Sequence, residues 1–85
     1  MLTIMESSQT GLTEYLGKKI TLFCCNYIYT GTLVALDKSW AKIEGAGIVY
    51  ETGAFSEKNW KDMQPLPHPV YIRLSSVESV MVLKS

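Results

Sequence analysis

The sequence predicts an all-β domain: a short N-terminal helix, then five strongly bent antiparallel strands that curl into a small barrel. Three observations carry this. From Lys18 onward apolar residues recur with a period of two. Glycines fall inside the strand-like runs at positions 31, 45 and 47, where they let a short sheet bend sharply. And 85 residues leave room for one small core only. The chain, residues 1–85, is therefore read as a single domain.

The elements follow in order. Thr10 has the side chain of a helix N-cap, Leu12, Tyr15 and Leu16 follow at helical spacing, and Gly17 supplies a stop. Ile20, Leu22 and Cys24 then alternate with Lys19, Thr21 and Phe23, the pattern of a half-buried strand. Asn26 and Tyr27 read as a tight turn, and a second strand runs over 28–37 with a bend at Gly31. Lys38 and Ser39 make the next turn. The third strand covers 40–51, with a bulge near Gly45 and Gly47. Residues 52–69 hold all three prolines, Phe55, Trp60 and a cluster of charge, without periodicity. They read as one long loop between strands three and four, packed on its own Phe55, Trp60, Met63 and Leu66. Pro65 to Pro69 reads as a stiff loop exit, since it lacks the flanking arginine of a polyproline ligand, and His68 within it as exposed. Strands four and five cover 70–74 and 77–83, with only Ser75 and Ser76 between them.

Composition narrows the function. Cys24 and Cys25 are adjacent, so in a strand they point to opposite faces and do not bridge. Unpaired thiols fit a reducing compartment, and the cytoplasm is expected. A single histidine without a cysteine cluster makes no zinc site, and no metal or cofactor is expected. The aliphatic runs 33–36 and 80–83 fall far short of the roughly 20 residues of a membrane span. Residues 1–10 lack a basic start before an apolar core, so no secretory signal is expected. Eight basic and eight acidic residues balance, and one basic residue is arginine. Binding nucleic acid by charge alone needs more than this, so such binding requires a local site or one repeated by symmetry. No glycine-rich phosphate loop, no Ser or Cys in register with a histidine and no forced carboxylate pair is present, so an enzyme is not expected.

A chain this small needs a further source of stability, and with disulfides and metals set aside, association remains. The runs 70–74 and 77–83 carry no inward lysine or proline guard, and unguarded strand edges invite pairing. Val70, Tyr71, Ile72, Val80, Met81 and Val82 are the candidate subunit contacts.

Two blocks of residues resemble the Sm-like family. Leu12, Leu16, Gly17, Lys18 and Ile20 resemble its helix end, Gly-Lys turn and first strand; Gly31, Leu33 and Asp37 reproduce its Gly-x-Leu-x-x-x-Asp spacing. Glu51 stands for the acidic residue that closes this motif, several residues later than usual. Val70-Tyr71-Ile72-Arg73, with Val77 and Val80, resembles the family's second motif. The blocks cover about two-thirds of the chain. There are departures: Ala41 stands where the family has a base-reading asparagine, Ser39 at the usual base-stacking position unless Trp40 takes that role, and Leu74 where a glycine follows the arginine. Separately, the run 52–55 with Trp60, Asp62, Pro65 and Pro67 resembles a small set of bacteriophage proteins, which would make the compartment a host cytoplasm.

The resemblance implies a ring of five to eight copies, built by pairing strand four with strand five of a neighbour, with Arg73 repeated around a pore and single-stranded RNA bound there. The RNA-binding candidates are Arg73, Ser39, Trp40 and Asp37. Arg73 either contacts RNA or satisfies carbonyls or a carboxylate such as Asp37 at a subunit interface. Trp40 is either a core or interface tryptophan or a stacking platform, and Asp37 caps its turn. Phe55 and Trp60 either close a satellite cluster under the loop or form an exposed patch for a protein partner. The alternative function is an interaction or assembly module that keeps the ring without base recognition. A monomeric SH3-like adaptor shares the strand pattern and is the third reading.

Overall fold

The computed structural model describes residues 12–84. Thr10 lies outside them, and the helical part that is described is one 3₁₀ turn, Thr13–Tyr15, in place of the expected helix. Gly17 stops it where expected: at φ +84° it turns the chain away, and its N–H donates to the Leu33 carbonyl at 2.7 Å. Leu12 and Tyr15 pack against the core. No helix among the described residues is long and apolar enough to cross a membrane.

Six strands follow: β1 Lys19–Cys24, β2 Ile28–Leu36, β3 Trp40–Glu51, β4 Asp62–Pro65, β5 Val70–Arg73 and β6 Val77–Met81, with a 3₁₀ turn Leu74–Ser76 between the last two. All pairings are antiparallel. The sheet order is β4-β3-β2-β1-β6, and β5 also pairs with β3. The fold is all-β as expected, but hydrogen bonds leave the sheet open where a closed barrel was expected: β6 pairs with β1 and is not joined to β4 or β5.

The bend is built at Gly31 and Gly45. Thr30 opposes Gly47 while Thr32 opposes Glu44, so β3 carries one residue more than β2 across this point. That bulge places Gly45 at φ +59°, a left-handed conformation that glycine adopts without penalty. Gly31 is needed for space: a Cβ there would lie 3.0 Å from the Glu44 carbonyl oxygen and 3.2 Å from Ala46 Cα. Both neighbours are backbone and cannot swing away. Gly31→Ala is therefore expected to cost about 1–3 kcal/mol of folding stability, read as a lower urea midpoint at unchanged slope.

The bulge also divides β3 between two partners. Trp40 to Ile43 pair with β5, and Gly47 to Glu51 with β4. β4 corrects the sequence reading, which treated 52–69 as loop throughout. Met63 seats against Gly47, where a side chain would meet its sulfur at 2.7 Å, and the Leu66 N–H donates to the Ala46 carbonyl at 2.8 Å. Pro65 is tolerated because β4 is an edge strand.

The core is Ile20, Leu22, Leu33, Ala41, Ile43, Ala46 and Ile72, all buried. Each comes from the inward positions of its strand, so the alternate positions of β3 and β5 face outward. Those outward positions carry the site.

Candidate functional site

β3 begins where β5 ends, and the register sets Trp40 opposite Arg73 and Lys42 opposite Tyr71. The β3 residues that alternate with Trp40 and Lys42, Ala41 and Ile43, are fully buried, so the four alternate residues share the outer face. Two cation–aromatic pairs result. The Arg73 guanidinium carbon lies 5.3 Å from the Trp40 ring centre, and Lys42 Nζ 5.7 Å from that of Tyr71. Both distances fall within the attractive range of an aromatic face.

The turn ahead of Trp40 is fixed by Asp37. Its Oδ1 accepts hydrogen bonds from the backbone N–H groups of Ser39 and Trp40, each at 2.8 Å, and the Asp37 N–H donates to the Trp40 carbonyl at 3.0 Å. Asp37 thus caps its turn as expected. On the far side, the Leu74 N–H donates to the Ser39 carbonyl at 2.8 Å and ties this turn to the end of β5. Lys38, Ser39, Trp40, Arg73, Leu74 and Ser75 line a cleft of about 350 Å³. The structure therefore brings together all four RNA-binding candidates, and adds Lys38, Lys42 and Tyr71 beside them.

The amides of Ser39 and, next, Trp40 hold the Asp37 carboxyl below its ordinary value of 3.8. A carboxyl whose pKa is lowered on folding stabilises the fold at pH above its unfolded value, and that contribution is lost as pH falls through the lowered folded value. Trp40 emission is therefore expected to shift in acid below about pH 4. The step should vanish in Asp37→Asn, whose side-chain oxygen still caps the turn. A step of equal size in that variant would assign it elsewhere.

Arg73 also lines a second cleft of about 220 Å³, walled by Tyr27, Tyr29 and Tyr71, with Tyr27 and Tyr29 edge to face at 6.1 Å. Cys24 lies on this wall. Burial pushes its thiol pKa up, and Cys25 and Glu78 add to the rise. The rise favours the neutral thiol over the thiolate.

The interface candidates divide. Ile72 is a core side chain, only 4% exposed, and Val70 and Val80 pack against the core. Tyr71, Met81 and Val82 are exposed. Among the described residues, the outer backbone edges of β5 and β6 carry no partner strand. In the loop ahead of β4, Phe55 is exposed, whereas Trp60 is half-buried. Trp60 lies under Lys84, whose Nζ is 5.0 Å from the ring centre. Lys84 Nζ donates to the carbonyls of Thr52 and Ala54 at 2.8 Å and of Asn59 at 3.0 Å.

Sequence reasoning passed over Lys42 and Lys84. Lys42 lies two residues after Trp40, and Tyr71 two before Arg73, so alternation puts each on its neighbour's face once the register is known. The partners of Lys84 are backbone carbonyls, which leave no signature in the sequence. A scan against protein-family models and a search of curated proteins found no match to this chain.

Proposed function

We propose that the chain is a divergent Sm-like protein that assembles into a cyclic homo-oligomer and binds single-stranded RNA at the Trp40–Arg73 cleft. The observation that carries this reading is the pairing of Arg73 with Trp40 beside Lys38, Lys42 and Tyr71 on one exposed face. Aromatic faces interleaved with cations suit an unpaired strand, because bases stack on the rings while the cations meet phosphate. Base–aromatic stacking contributes about 1–3 kcal/mol per base, whatever the base.

Ala41, at the position of the base-reading asparagine in the Sm-like motif, is fully buried and has no group to offer a base edge. Binding at the cleft is therefore base-tolerant, with the cleft stacking and neutralising instead of reading. Assembly through the free edges of β5 and β6 would bury Tyr71, Met81 and Val82 and repeat Arg73 around the axis. A neutral chain would then present a local circle of positive charge, and weak sites on one strand would reinforce each other. The reading is one of binding without catalysis, in the cytoplasm, with no cofactor.

The test combines light scattering with fluorescence titration. A mass of roughly five to eight times that of the monomer supports the closed ring, against 9.5 kDa for a lone chain. Uridine- and adenosine-rich oligoribonucleotides should quench Trp40 with similar affinity, and weaken at higher salt. A ring that leaves both oligonucleotides unbound at tens of micromolar would sink the RNA half. The alternative, a protein-interaction module acting through the exposed Phe55 loop, would then stand. A monomer would sink the ring and favour the SH3-like adaptor.

A further inference from the structure

We propose that the loop between β3 and β4 is a receptor for a primary ammonium group, filled in this chain by its own Lys84. A lysine ammonium has three N–H donors and no acceptor. Here all three are matched, by the carbonyls of Thr52, Ala54 and Asn59 at 2.8, 2.8 and 3.0 Å. The indole face of Trp60 lies 5.0 Å from the same nitrogen. Three convergent carbonyls and an aromatic face recognise R–NH₃⁺ by both its donors and its charge.

Two further observations mark this as a receptor and not a chance contact. First, the loop is shaped by its own backbone: Gly53 is left-handed at φ +67°, and the Glu57 N–H donates to the Ala54 carbonyl at 3.0 Å. Second, Lys84 itself sits at φ +54°, a left-handed conformation that a side-chain-bearing residue rarely adopts. Pairing with a carboxylate does not supply the attraction, for Lys19, Lys58 and Lys61 line the same cleft against one carboxylate, Asp62. A cation held among other cations is held by N–H donation. The site therefore selects primary amines and rejects quaternary ones. It does so whether or not RNA binds at the opposite end of β3.

Lys84→Ala in a Trp40→Phe background leaves Trp60 as the chain's one tryptophan. Amide exchange over 52–61 is expected to rise at least ten-fold, while β1, β2 and β3 stay protected. n-Butylammonium should then restore both the Trp60 emission and the slow exchange with a saturable dependence, and do nothing when Lys84 is present. Tetramethylammonium and sodium chloride at equal ionic strength should restore neither. If the strands lose protection, Lys84→Met keeps the stem without the donors, and methylammonium replaces butylammonium under the same criteria. Unchanged exchange over 52–61 overturns the proposal. So does a loosened loop that no primary amine restores, or equal restoration by tetramethylammonium.

Discussion

Leu33→Ala is expected to destabilise the fold by about 2–5 kcal/mol, the range for emptying a buried leucine site. Leu33 is fully buried on β2, the strand between β1 and β3, among Ile20, Leu22, Ile43 and Ile72. Its backbone is also held on the β1 side: its N–H donates to the Lys18 carbonyl at 3.0 Å, and its carbonyl accepts from Gly17 at 2.7 Å. The framework is thus fixed and cannot collapse into the space left, which puts the cost toward the upper end. Small domains start from about 5–15 kcal/mol, so this one change removes a large part of the total. Urea unfolding followed by circular dichroism measures it. The neighbour Val34 is 39% exposed, and Val34→Ala should fall within about 1 kcal/mol. A Leu33→Ala cost below that of Val34→Ala would mean that the core has been misplaced.

Arg73→Ala is expected to weaken RNA binding at least ten-fold, equivalent to about 1.4 kcal/mol, while leaving the urea midpoint nearly unchanged because Arg73 is exposed at the end of β5. The guanidinium contributes in two ways. It neutralises phosphate, so its loss should reduce the slope of log affinity against log salt by about one per phosphate contact. It also lies against Trp40 and lines the clefts on both sides of its strand end. Arg73→Lys separates these parts, since lysine keeps the charge but loses the planar stacking group. Its affinity should fall between wild type and alanine, with the salt slope restored. If Arg73→Ala binds as tightly as wild type, RNA does not use this cleft.

Much of this was legible in the sequence where the signal is local. The bounds of β3, 40–51, follow from a turn before Trp40 and the end of the apolar pattern at Glu51, and β3 spans them. The bend at Gly31 and Gly45 follows from glycine inside a strand. Asp37, Ser39 and Trp40 meet because one turn holds them. What was not legible depends on register or on distant backbone. β4 has no alternation of its own in Asp-Met-Gln-Pro, and becomes a strand because β3 offers it an edge and Gly47 offers Met63 a seat. Ile72 and Tyr71 have the same local pattern, and only pairing with β3 turns one inward and the other out. The Lys84 contacts span 25 to 32 residues and end on main-chain oxygens, to which any residue type could have contributed. The stop at Gly17 was legible, whereas the weak helical spacing before it yields only a 3₁₀ turn, Thr13–Tyr15.

The bulge in β3 also determines which parts of the molecule can be altered independently. Because it hands the two halves of one strand to different partners, β4 pairs with the Glu51 half, while the Trp40 end keeps its own pairing with β5. The loop after Glu51 can then be lengthened, shortened or exchanged without shifting Trp40 from Arg73 by a single residue. In a domain this small, such a hinge allows one end to diversify while the other is held constant.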